Sequence, residues 1–245
     1  MFSGAPPEAL PLGLRRGTAL FEGEIAGPLE SPRIHGCVRL AGAVYEGRLI
    51  DRLSARFSLD RSALAVTALA VEHQGLTLQG RGRISLVNWR PSGASAIEAS
   101  GALRDARLGA LLAANGRDLP VEGVLAASLE ANGTLDHPGA TAAITVEKPS
   151  IYGERFDRLR ARVLYRDGTI EAPDAVLEAG PASLRLAASY THPPGDWREG
   201  TLSFKAGAGG LPLGLIPHWN DSAPGLSGAA DFELNGLAWI RKGEI

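Results

Sequence analysis

The side chains able to do chemistry in this sequence are few and scattered. Five histidines, His35, His73, His137, His192 and His218, stand far apart, and no pair has the spacing of a metal-ligand set. His137 and His192 each stand next to proline, which marks a turn. One cysteine, Cys37, allows neither an intrachain disulfide nor a thiolate cluster, and it reads as a small buried apolar residue. No nucleophile elbow, phosphate loop or dinucleotide fingerprint is present. The run Gly207-Ala208-Gly209-Gly210 lacks the strand-to-helix context of a phosphate cradle and is expected to be a bend. Asp51 and Asp157 each precede an arginine, Arg52 and Arg158, at the entrance to an alternating run. Carboxylates placed in this way are expected to pair with the neighbouring arginine as structural groups. The expectation is a protein with no catalytic residues, no metal and no cofactor.

Composition narrows the partners. Twenty-five basic against 27 acidic residues give a net charge of −2, which supplies no basic stripe for nucleic acid. Lysine occurs only at Lys148, Lys205 and Lys242, so the positive charge is nearly all arginine. No stretch approaches the roughly 20 apolar residues of a membrane-spanning helix. Met1-Phe2-Ser3-Gly4 lacks the basic and apolar regions of a signal peptide.

The elements that would carry any function show in a period of two. Leu76, Leu78, Gly80, Gly82, Ile84 and Leu86 alternate with polar residues such as Gln79. So do Leu53, Ala55, Phe57 and Leu59, with Arg56 between them, and Leu159, Ala161, Val163 and Tyr165, with Arg162 between them. Leu184, Leu186, Ala188 and Tyr190 continue the pattern, followed by Leu202, Phe204 and Ala206, and then by Phe232 and Leu234. Strand side chains point to opposite faces in turn, so each run has one apolar and one wet face. Turn signals at Asp60-Arg61-Ser62, Glu72-His73-Gln74-Gly75, Arg166-Asp167-Gly168 and Ala179-Gly180-Pro181 join the runs as antiparallel neighbours. Ala106 through Gly116 is rich in helix formers and predicts a short helix with Leu108, Leu111 and Leu112 on one face. Leu211 through Asn220, with two prolines, predicts a turn of helix at most. Two matching loops, Asn88 to Gly93 and His192 to Arg198, each set a tryptophan beside an arginine.

The pattern also repeats. Gly27-Pro28-Leu29-Glu30-Ser31-Pro32 matches Gly133-Thr134-Leu135-Asp136-His137-Pro138, an offset of 106 residues (27 to 133). The same offset carries Asp51-Arg52-Leu53 onto Asp157-Arg158-Leu159 and Ala55-Arg56 onto Ala161-Arg162. Residues 1–26 are read as the end of a preceding unit, 27–132 and 133–236 as two units, and 237–245 as the start of a third. The chain is therefore expected to be a piece of a longer protein. Repeated units stack into a long body whose function lies in a continuous surface.

Each unit runs as an amphipathic strand, then Asn/Ala-Gly-x-Leu and a proline. A Tyr-(Glu)-Gly segment follows (Tyr45-Glu46-Gly47, Tyr152-Gly153), then Asp-Arg-Leu-x-Ala-Arg and a pair of alternating strands. In order and period this resembles the repeat of the TamB family, within the wider AsmA-like group, from about Gly13 to Gly236. The resemblance implies an all-β fold: an elongated antiparallel meander of long amphipathic strands, curled into a U-shaped trough, with one or two short helices. It also implies a periplasmic protein, anchored in the inner membrane through a segment absent from this chain. Phospholipid acyl chains would occupy the apolar groove and move between the inner and outer membranes. A second role in outer-membrane protein assembly is implied, with a TamA-type barrel partner held through regions absent here.

On this reading the groove is lined by Leu53, Phe57, Leu59, Leu76, Leu78, Ile84, Leu86, Leu159, Val163, Tyr165, Leu184, Leu186, Leu202, Phe204, Phe232 and Leu234. Small residues among the inward positions, such as Ala55, Gly80, Gly82 and Ala161, leave room for a ligand. The competing expectation is a structural β-solenoid stalk or adhesin segment, in which the same faces pack on each other in a dry core.

Overall fold

In the computed structural model the described residues are 12–13, 17–45, 48–114, 119–193, 196, 198–212 and 228–241. They form one open sheet of fifteen strands. The first series comprises β1 (Leu12–Gly13), β2 (Thr18–Ala26), β3 (Arg33–Tyr45), β4 (Arg48–Leu59), β5 (Ala63–His73), β6 (Leu76–Ser85) and β7 (Ala96–Arg107). A helix, α1 (Leu108–Ala114), leads into β8 (Val121–Thr134). The second series comprises β9 (Pro138–Ile151), β10 (Glu154–Arg155), β11 (Arg158–Arg166), β12 (Thr169–Ala179), β13 (Ala182–Thr191) and β14 (Gly200–Pro212), and is followed by β15 (Ala229–Ile240). Every pairing is antiparallel, and sequence neighbours are sheet neighbours from β3 to β15 apart from the short β10, which pairs with β9 alone. The protein is thus an all-β open meander.

Strand boundaries carry the repeat found in the sequence. β5 and β12 begin and end 106 residues apart (63 to 169, 73 to 179), and so do β6 and β13 (76 to 182, 85 to 191). Irregularities recur at the same spacing. The register slips between Val66 and Leu69 on β5 and between Ala172 and Ala175 on β12. In the first slip Thr67 and Ala68 oppose Arg81; in the second the extra pair is Pro173-Asp174. A bulge is one of the few sheet positions that tolerates proline. Such bulges bend a strand and increase its twist, so matched bulges curl neighbouring strands together.

Turn chemistry sets the hairpins. Gln74-Gly75, Tyr152-Gly153 and Asp167-Gly168 hold both central residues at positive φ, as a type I′ hairpin turn requires. The two aspartates expected to pair with arginine do something else. Asp51 Oδ2 accepts the N–H of Gln74 at 2.7 Å, and Asp157 Oδ2 accepts the N–H of Gly180 at 2.6 Å. Each carboxylate therefore pins a hairpin turn 23 residues downstream (51 to 74, 157 to 180). A backbone donor that the sheet ladder cannot satisfy is the better partner, since the arginines have glutamates: Arg52 with Glu72 and Arg158 with Glu147.

Two other expectations change. The helix starts at Leu108, because Ala106 and Arg107 still pair with Leu125 and Val124 on β8. Leu108, Leu111 and Leu112, expected on one face of the helix, are all half-buried, and a Cβ at Gly109 would come within 3.0 Å of the Val121 carbonyl, so glycine lets α1 lie close on β8. The glycine run at 207–210 is not a bend but part of β14; Gly210, at φ +66°, absorbs a bulge opposite β15. The predicted turn of helix falls mostly on 213–220, outside the described residues, and Leu211 and Pro212 end β14.

Candidate apolar groove

Register brings the apolar positions of successive strands into rows that run across the sheet. One row passes Leu40, Leu53, Val71, Leu78, Leu103, Ala127, Ile144, Ala161, Ala175, Leu186, Ala206 and Leu234, each the direct partner of the next. At about 4.8 Å per strand the row follows the sheet for roughly 50 Å. A second row runs beside it from Phe57 through Val66, Gly82, Ala99, Ala131 and Ala140 to Tyr165, and on through Ile170, Tyr190 and Leu202. Leu159, Leu177, Leu184, Ala208 and Phe232 make a third. Leu59 and Ile84 both pair with Leu64, while Leu76 pairs with His73 and Phe204 with Ala188. Val163 sits on this face opposite the β12 bulge. Leu86 follows β6, its N–H donating to the Ser62 carbonyl at 2.6 Å.

Fifteen of the sixteen residues expected to line a groove therefore share one face of the sheet, and Leu86 lies one residue past the end of β6. Thirteen are half-buried, while Leu186, Phe232 and Leu234 are exposed. The intervening Arg56, Gln79, Arg162 and Arg185 lie on the other face and are exposed.

The apolar face has no second layer over it among the described residues; each strand packs on its sheet neighbours, and α1 packs on β7 and β8. The buried apolar residues are few and mostly alanine: Leu40, Ala63, Ala106, Val146, Ala175, Leu177, Ala182 and Ala208. Val146 is nonetheless only 2 % exposed and Leu177 8 %. Single-layer burial of that depth follows when side chains on an inward-curling face lean together.

Sequence reasoning missed Val71, Leu103, Ile144, Val146 and Leu177 in these rows. The signal was present in Ala63–His73, where Leu64 and Val66 are even and Leu69 and Val71 odd. That change of phase is the bulge at Thr67-Ala68, and a strict period-two template rejects it.

The opposite face is polar and carries surface ion pairs: Arg39 with Glu22 at 3.3 Å, Arg160 with Glu178 at 3.6 Å, and Lys205 with Glu233. The Lys205 hydrogen bond lowers the Glu233 carboxyl from its ordinary range, and the same bond raises the lysine. Cys37, expected in a core, is instead half-buried on this face, opposite Glu22 and Arg56, since β3 places odd residues there. Among the described histidines none joins a group of three metal-ligating side chains. His192 is 5 % exposed and stacks on Tyr165, with ring centroids 6.3 Å apart, while His137 Nδ1 lies 3.2 Å from Asp167 Oδ1. His218 lies outside the described residues. Trp89 is half-buried in a loop pinned by its N–H to the Arg61 carbonyl; Trp197 of the matching loop is outside the described residues. No described helix is long and apolar enough to cross a membrane. Compared with known proteins, the chain matches no family model, no curated protein and no solved structure.

Proposed function

We propose that this chain is a segment of a periplasm-spanning lipid conduit, and that its apolar face carries phospholipid acyl chains between the inner and outer membranes. One observation carries the reading: apolar rows cross the sheet from β3 to β15, and among the described residues no second layer lies over them. Apolar area left open to water is unfavourable, and an acyl chain laid along the rows relieves it at about 0.8 kcal/mol per methylene. Ala and Gly in the central rows make the lining shallow and even, so no deep stop holds the chain in one place. The headgroup stays outside in solvent. A contribution to outer-membrane protein assembly, with a TamA-type barrel as partner, belongs to the same proposal through the family resemblance.

The test is photocrosslinking in cells from Phe57, Leu78, Val163 and Leu184, with Arg56, Gln79, Arg162 and Arg185 as opposite-face controls. Phospholipid adducts from the first set alone are expected. Adducts confined to protein would sink the conduit and favour a structural stalk whose apolar face is covered by other protein.

A further inference from the structure

The polar face of the first series holds a feature that the conduit does not use. A cavity of about 660 Å³ opens there over β3–β8. Three arginines, Arg39, Arg56 and Arg81, reach it from β3, β4 and β6. Its floor on this face is Ala68, Ala70 and Ala102, which leaves the space between the arginines open. Hydroxyl and amide groups of Ser54, Gln79, Ser100 and Ser128 surround it, with the Glu130 carboxylate at the far side.

Register explains why the arginines converge. Arg56 pairs with Ala68, and the β5 bulge sets Thr67 and Ala68 opposite Arg81. The two guanidinium stems thus flank one strand, about 10 Å apart at the backbone, within reach of a shared ligand. Arg39 lies diagonally across from Arg56, already tied on its outer side to Glu22. Arg81 donates from Nε to Ser100 Oγ at 3.1 Å, and among the described residues neither it nor Arg56 makes an ion pair.

The second series solves the same positions differently. There the bulge carries Asp174, the register partner of Arg162, and Ala187 stands where the first series has Arg81. An acid therefore stands across from the matched arginine in the second series, whereas in the first the corresponding partner is Ala68.

We infer that this cavity binds an anionic saccharide, a sugar bearing phosphate or carboxylate. Planar guanidinium forks match such oxyanions, while the ring of hydroxyl, amide and carboxylate groups matches sugar hydroxyls. The volume falls within the range of small-molecule sites and far exceeds what a bare phosphate fills. This site lies on the opposite face from the groove and stands independently of the lipid proposal.

The experiment titrates the full chain with glucose 6-phosphate and with glucuronic acid, against glucose and inorganic phosphate as separate arms at fixed ionic strength. One of the two anionic sugars is expected to bind more tightly than glucose or phosphate. Arg56→Ala and Arg81→Ala should each weaken that binding at least tenfold, and Ala68→Asp, which supplies the missing acid, should do the same. Arg185→Ala, on the same face of the second series, should leave it unchanged. Circular dichroism of each variant reports that the sheet is intact. Absence of saccharide binding, binding no tighter than inorganic phosphate, retention in the Arg56 and Arg81 variants, or equal loss in Arg185→Ala would each overturn the assignment.

Discussion

The two strand series share a backbone plan and diverge in what they place on it. Both carry the bulge at the same point, both pin the following turn with an aspartate, and both bury an apolar residue at the matched positions Leu40 and Val146 (40 to 146). Around the edge of the apolar face they part. Leu59, Ile84 and Leu86 in the first series become Tyr165, Tyr190 and His192 in the second, where the aromatic rings cluster. On the polar face, Ala68 becomes Asp174. Backbone-directing positions recur, then, while the side chains at the edge of the apolar face and on the polar face vary between copies. That separates residues that make the sheet from residues that tune its two surfaces.

The largest effects should come from the shared positions. Leu40→Asp and Val146→Asp each put a charge where the face is most covered, and each should destabilise by more than about 3 kcal/mol. Chemical denaturation followed by circular dichroism measures it. If only one of the pair matters, the two series are not equivalent in packing and the comparison fails at its strongest point.

Next come the turn-pinning aspartates. Each accepts a short hydrogen bond from a backbone N–H, and hydrogen bonds to charged groups contribute about 1.5–3 kcal/mol. Asp51→Ala and Asp157→Ala should therefore lower the denaturation midpoint by similar amounts, at the lower end of that range because both turns are exposed. A small effect at one site alone would show that the Gln74-Gly75 and Gly180-Pro181 turns differ in what they need from the carboxylate.

How much of this was legible follows from the same division. Strands such as Leu76–Ser85 show in the sequence because their alternation is unbroken, and the open antiparallel sheet follows from many such strands with short turns. Strands β5 and β12 are harder to read, since a bulge shifts the phase of their apolar residues in mid-strand. The role of Asp51 and Asp157 was hidden for another reason. Their partners are backbone donors 23 residues away, and a sequence displays side chains, not the N–H groups that a turn leaves unpaired. The arginine cavity was equally invisible, because it depends on a bulge bringing β4 and β6 side chains together over Ala68.

A gentler probe separates the two series at the turn before β5 and β12. In the first series the turn is built on a side chain: Asp60 Oδ1 accepts the N–H of Ser62 at 2.7 Å, the Ser62 hydroxyl at 2.6 Å and the N–H of Ala63 at 2.9 Å. In the second, Asp167 and Gly168 make the turn at φ +48° and +76°, and the Asp167 carboxylate faces His137 Nδ1 at 3.2 Å instead of the N–H groups of its own turn. The Ser62 hydroxyl, followed by the Ser62 and Ala63 N–H groups, holds the Asp60 carboxyl below the ordinary value of 3.8. A carboxyl with a lowered folded value contributes its stabilisation fully above the ordinary aspartate range and loses it as pH falls through the lowered value. Acid should accordingly loosen the first turn before the second. Hydrogen exchange at Ser62 and Ala63, measured from neutral pH down past that window and compared with Thr169, should show protection fading at the first pair. In Asp60→Asn the difference should vanish, because the asparagine does not titrate. Equal fading at both turns would mean that the carboxylate does not hold the first turn, and that the two series close their hairpins in the same way.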